Sequence, residues 1–155
     1  MNQRIEFVLN SEKRSVEPRA NQTLLEMLRD TLGVKSPKCG CDRGDCGSCT
    51  VMIDGRAVRS CLVLAVEVDG HEVKTLEGLM PGGKFSALQK SFLAHNSFQC
   101  GFCTPGVIVA VSELLEKNPH PDRNEIKEAL SGNLCRCTGY TPIIEAVVAH
   151  AGREE

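Results

Sequence analysis

Two different rhythms divide this chain. From residue 4 the apolar positions alternate: RIEFVL reads as a strand, NSEK as a turn, and RSVEP as its returning partner. Thr23 then opens T-L-L-E, a capping-box pattern with Glu26, and Leu24, Leu25, Leu28 and Leu32 follow at helical spacing to a stop at Gly33. Alternation returns in TVMIDGRAVRSC, where Asp54-Gly55 marks a tight turn between two strands, and VEVDGHEVKTL adds a turn at Asp69-Gly70 and a last strand. MPGGK, 80–84, breaks the pattern.

Beyond the break the period becomes helical. FSALQKSFLAHN reads as a short amphipathic helix. Thr104-Pro105 reads as an N-cap with proline at N1, opening GVIVAVSELLEKN. Asp122 and Glu125 form another capping box before IKEAL with Gly132 as the stop, and Thr141-Pro142 starts PIIEAVVAHA. The strands with one crossing helix predict a β-grasp, ferredoxin-like domain, and the remainder an all-α domain. The fold class is thus α+β, with domains at 1–79 and 85–155 joined by 80–84.

Composition changes this picture at one point. The chain has nine cysteines but only 4% aromatics and no Trp, so its core is aliphatic and something else adds stability. A formal charge of −2 gives no basic footprint for nucleic acid. No apolar run approaches the roughly 18 residues of a membrane span. The opening MNQRIEFVLN shows neither a secretory pattern nor a twin-arginine signal. The chain is therefore read as cytoplasmic, where thiols stay reduced and clustered cysteines point to metal rather than disulfides.

The cysteines fall into two groups on either side of a cysteine-free interval, 62–99. Cys41, Cys46 and Cys49, followed by Cys61, have the plant-type C-x4-C-x2-C…C spacing of a [2Fe–2S] site. The loop is small, polar and glycine-rich (Gly40, Gly44, Gly47), suited to aiming N–H groups at an anionic cluster. Cys100, Cys103, Cys135 and Cys137 form a second set of four thiols, and spacing alone leaves zinc open there, since CGFC and CRC make two separated ligand pairs. Cys39 is the surplus. A Rieske centre needs two histidines, and His71, His95, His120 and His150 all lie outside the cysteine motifs. QCGFCTPGVIVAV and LCRCTGYTPIIEAV echo one another, each setting a cysteine pair before a Thr-Pro helix start. Two helix N-termini that converge in this way favour an anionic centre. Two oxidised clusters at about −2 each would take the formal charge to about −6, offset by local N–H groups and by Arg43 and Arg136.

Four motifs in this order, GCDRGDCGSCTV with Cys61 in SCLVLA, TLEGL at 75–79, QCGFCTPG at 99–106 and GNLCRCTGY at 132–140, cover essentially the whole chain. It resembles the small iron–sulfur subunit of the molybdenum hydroxylases: xanthine dehydrogenase, aldehyde oxidoreductase, carbon monoxide dehydrogenase and their relatives. The resemblance implies a second [2Fe–2S] cluster, rather than zinc, on Cys100, Cys103, Cys135 and Cys137. It implies that Gln99 hydrogen-bonds a pterin held by a partner and that Cys137 lies against the pterin amino group. Gly101, Phe102 and Gly139 would shape and cover the loop. It further implies a large molybdopterin-binding subunit (cytosine dinucleotide form), a medium FAD-binding subunit, and a dimer of heterotrimers. The substrate would be set by the large subunit. This chain would relay electrons, consistent with its lack of a G-x-G-x-x-G fingerprint. A zinc-binding interaction module and a stand-alone ferredoxin-like carrier are the competing readings.

Overall fold

The computed structural model describes residues 3–152; residues 1, 2 and 153–155, which the expected domain spans include, lie outside them. Five strands form one mixed sheet: β1 (Ile5–Leu9), β2 (Glu12–Val16), β3 (Thr50–Ile53), β4 (Arg56–Arg59) and β5 (Glu72–Lys74). Their spatial order is β2-β1-β5-β3-β4, with β1 and β5 parallel and every other pair antiparallel. Strand β1 buries Ile5, Phe7 and Leu9, the alternation its sequence foretells. Edge strand β2 instead exposes Glu12, Lys13, Arg14 and Ser15, and charge there discourages pairing with another chain. The β3–β4 turn is Asp54-Gly55, both with positive φ (47° and 78°), the hairpin geometry expected.

The crossing helix begins as read. Thr23 Oγ1 accepts from the Glu26 N–H, and the Glu26 carboxylate accepts from the Thr23 N–H. It does not continue as a plain helix, however. After the single turn α1 (Leu24–Glu26) it widens to a π-helix at Met27–Thr31, closed by Leu32 N–H to the Met27 carbonyl. Leu24, Met27 and Leu28 nevertheless meet Ile5, Phe7, Leu9, Val51 and Val73 in one core. The run before Asp69 is a 3-10 turn, Ala65–Val68, and only Glu72–Lys74 is strand.

Four helices follow: α2 (Ala87–Ala94), α3 (Thr104–Lys117), α4 (Arg123–Leu130) and α5 (Thr141–His150). The Asp122–Glu125 capping box is present, and Ser86–Gln89 forms another. The predicted N-cap at Thr104 is displaced by one: Cys103 caps α3, Thr104 is its first residue and Pro105 its second. The Thr104 hydroxyl is buried without a hydrogen-bond partner, so it does no capping. Gly132 does not end α4 by a left-handed turn; Ser131 is the C-cap, and Gly132 lies where a side chain would overlap the Arg59 guanidinium. Leu88, Phe92, Val107, Val111, Ile126, Ile143 and Val147 build the second core. The first half of α3 is buried all round, through Val111, because it packs against β3 as well as α4. That helix ties the two halves together.

Candidate metal centres

The first group of thiols hangs on the loop between the π-helix and β3. Its entry is fixed by Arg29 Nη1 donating to the Pro37 carbonyl (2.7 Å) and by the Ser36 hydroxyl and N–H donating to the Glu77 carboxylate (2.5 and 3.2 Å). Its exit is fixed where Ser60 Oγ donates to the Cys49 carbonyl (2.7 Å). The β3–β4 hairpin delivers Cys61, on the 3-10 turn Ser60–Leu62, to within 3.4 Å of Cys49, sulfur to sulfur. Cys41 is the outer counterpart: its sulfur accepts from the Cys46 N–H (3.4 Å). Gly44 and Gly47 have positive φ (87° and 74°), which lets the loop curl its amides inward, whereas Gly40 does not.

The second group is assembled from two helix starts, as the echo foretold. Cys103 caps α3, with Cys100 just ahead, while Cys135 and Cys137 sit in the loop before α5. Cys137 and Cys100 approach to 3.6 Å, sulfur to sulfur, and Cys135 lies near enough to Cys103 to help raise its thiol. Gln99 Nε2 donates to the Cys137 carbonyl (3.1 Å) at the surface.

Each site is thus two thiol pairs, one inner and one outer. In the first site Cys49 and Cys61 are buried and Cys41 and Cys46 half-buried; in the second Cys103 is buried and Cys135 half-buried, deeper than the exposed Cys100 and Cys137. Among the described residues no group of three or more Cys, His, Asp or Glu closes around a single metal ion. Paired thiols fit a binuclear centre, where each iron takes two, better than one tetrahedral ion. Three of the four histidines are engaged elsewhere: His71 with Asp54, His95 with the Ser91 carbonyl and His120 with the Ala151 carbonyl.

The electrostatics favour thiolates at chosen positions. N–H groups of Cys46 and Arg43 bring Cys41 down to about 7. Burial pushes Cys61 up to about 12, reinforced by Cys49; it does the same for Cys103, also to about 12, reinforced by Cys135. At Cys135 burial is overcome by the Thr138 hydroxyl and amide, which hold its thiol below the ordinary range. Cys39 is exposed, takes no part in the four pairs, and is raised by its partial burial and by Asp42.

Sequence reasoning passed over several residues that build this region. Tyr140 stands in the left-handed region (φ 69°), held there by its hydroxyl, which accepts from the Cys135 N–H (2.9 Å) and donates to the Asn133 carbonyl (3.1 Å). Its available signals were being the only tyrosine in the chain and closing the motif GNLCRCTGY. Leu134 donates its N–H to the Cys46 carbonyl (2.8 Å), a backbone hydrogen bond that joins the two thiol loops. Asn133 Nδ2 donates to the Gly47 carbonyl (3.0 Å), and Arg59 donates to the Gly132 carbonyl (2.6 Å). Nothing in the local pattern announced these bonds, which span up to 88 positions (Cys46 to Leu134).

Residues 7–77 match the family described as 2Fe-2S iron-sulfur cluster binding domain, and residues 75–148 the family described as [2Fe-2S] binding domain. The nicotine 6-hydroxylase small subunit of Paenarthrobacter nicotinovorans is 48% identical, over 96% of this chain and 90% of that one. The nicotinate dehydrogenase small FeS subunit of Eubacterium barkeri is also 48% identical, over 92% and 91%. Quinoline 2-oxidoreductase from Pseudomonas putida 86 superposes with a TM-score of 0.91 at 47% identity, covering 97% of this chain and 94% of the matched one.

Proposed function

Because this chain belongs to the small iron–sulfur subunits of the molybdenum hydroxylases, we propose that its thiols divide the work of an electron relay between two sites. Cys41, Cys46, Cys49 and Cys61 hold one [2Fe–2S] cluster, and Cys100, Cys103, Cys135 and Cys137 hold the other. When bound, these clusters supply one-electron carriers between the molybdopterin centre of a large subunit and FAD on a medium subunit. The chain itself binds, spaces and insulates them, and carries no group for substrate chemistry.

One observation carries this reading above all: the Leu134 N–H on the Cys46 carbonyl. It links a backbone neighbour of Cys135 to Cys46 directly, a short connection that a zinc-binding interaction module would not need. The outer pair of the second site, Cys100 and Cys137, is exposed beside Gln99. Exposed Gln99 donates an amide N–H to the Cys137 carbonyl, and we read it as the residue that hydrogen-bonds the partner-held pterin, with the Cys137 sulfur against the pterin amino group. We place the domain junction at 80–84, where Gly82 and Gly83 turn left-handed. The assembly is read as a cytoplasmic dimer of heterotrimers, with the cofactor in its cytosine dinucleotide form.

The test is capture of the tagged chain from cells that make it. The relay reading expects a large polypeptide containing molybdenum and pterin and a medium polypeptide containing flavin in stoichiometric amounts. Recovery of a loaded monomer without them would support the stand-alone carrier instead.

A further inference from the structure

The two halves meet through glycine. Gly106, the third residue of α3, is buried where a Cβ would overlap the Gly47 carbonyl oxygen and approach Asn133 Nδ2 to 3.3 Å. From the other side, a Cβ on Gly47 would overlap the Gly132 carbonyl oxygen and lie 2.8 Å from Asn133 Nδ2. So a backbone in the first thiol loop, between Cys46 and Cys49, rests directly on a helix that Cys103 caps. Polar bonds hold the contact shut. The Gly47 carbonyl accepts from Asn133 Nδ2, from Thr50 Oγ1 (2.6 Å) and from the Thr50 N–H (3.1 Å). Asn133 is 2% exposed, and Thr50 Oγ1 also accepts from Asn133 and Arg59 (3.2 and 3.0 Å).

We infer that Gly47 and Gly106, latched by Asn133, are positioning residues that set the separation of the two thiol sites and so the coupling between the centres they hold. The inference rests on the relay reading above. Helix propensity cannot account for Gly106, because alanine is the better helix former at that place. Nor does Gly106 carry a positive φ that would require glycine. What remains is the close approach itself. A methyl group there must push the first loop, with Cys46 and Cys49, away from α3, and electron exchange between two centres falls steeply with separation.

Gly106→Ala is the informative substitution, because Gly47, at φ 74°, would be strained by any side chain whatever its neighbours. The measurement is the spin–spin interaction between the two reduced clusters, read by EPR on the assembled oxidoreductase after dithionite reduction. Both signals should persist with unchanged iron, while their mutual broadening weakens measurably. Unchanged broadening with both signals present overturns the inference. If Gly106→Ala fails to accumulate, Asn133→Ala, which removes the latch without adding bulk, decides it: weakened coupling supports the inference and unchanged coupling overturns it. Absence of both signals from the unsubstituted protein would overturn the relay reading, and this inference with it.

Discussion

The two halves of this chain reach the same end, four thiols in two pairs, by opposite routes. In the sheet half, three thiols lie within nine residues of one loop and the fourth returns on a hairpin twelve residues later. In the helical half, two thiols precede α3 and two precede α5, with α4 between them. The first site is thus a local construction that needs only a loop and a turn. The second exists only after α3 and α5 have packed through Val107, Ile143 and Val147. A site that depends on tertiary packing needs extra support, and Tyr140 supplies it by bonding both the Cys135 amide and the Asn133 carbonyl.

The sharpest way to break this comparison is to remove one ligand from each half. Cys135→Ser should lower iron from about four to about two per chain, abolishing one EPR signal and leaving the other. Cys61→Ser should do the converse. If either substitution removed both signals, the sites would form a single cooperative unit rather than two. Next in size is Tyr140→Phe, which strands the half-buried Cys135 N–H and should destabilise the helical half by about 1 kcal/mol. Thermal melting measures the loss, and the second cluster's EPR signal should shift while the first stays put. A shift in both would mean that Tyr140 acts across the domain contact.

A smaller effect concerns Glu77, which ties the end of the sheet half to the entry of the first loop. Burial opposes its ionisation, but the hydroxyls of Ser36 and Thr75 and the Ser36 N–H outweigh it, so its carboxyl sits below the ordinary value of 4.5. A lowered folded-state pKa means stability that is complete above about 4.5 and is lost as pH falls through the folded value. Glu77→Gln should therefore melt with a flatter pH dependence over that acid range, and an identical slope in the two chains would contradict the assignment. Smallest of all is Cys39→Ala. It should leave both cluster spectra and the iron content unchanged; loss of the first signal would make Cys39 a ligand in place of Cys41.

The same contrast governs what the sequence could disclose. Both capping boxes at Thr23 and Asp122 and the Asp54-Gly55 turn depend on neighbours within a few residues, and spacing encodes them. The pairing of thiols, the widening of the crossing helix at Met27–Thr31 and the left-handed Tyr140 depend on what lies across the fold. Gly106 illustrates the limit. Inside a helical pattern it reads as a tolerated weakness, and only the Gly47 carbonyl opposite explains it. For the second thiol group, spacing permitted zinc, and the match of residues 75–148 to a [2Fe-2S] binding domain favours iron.

This one chain carries two [2Fe–2S] domains of different construction. Iron, zinc and acid-labile sulfide analysis of the purified complex, paired with EPR after reduction, tests it most directly. About four irons and four sulfides per copy of this chain are expected, with two distinguishable cluster signals. A colourless protein containing zinc, with no labile sulfide and no such signals, would contradict it.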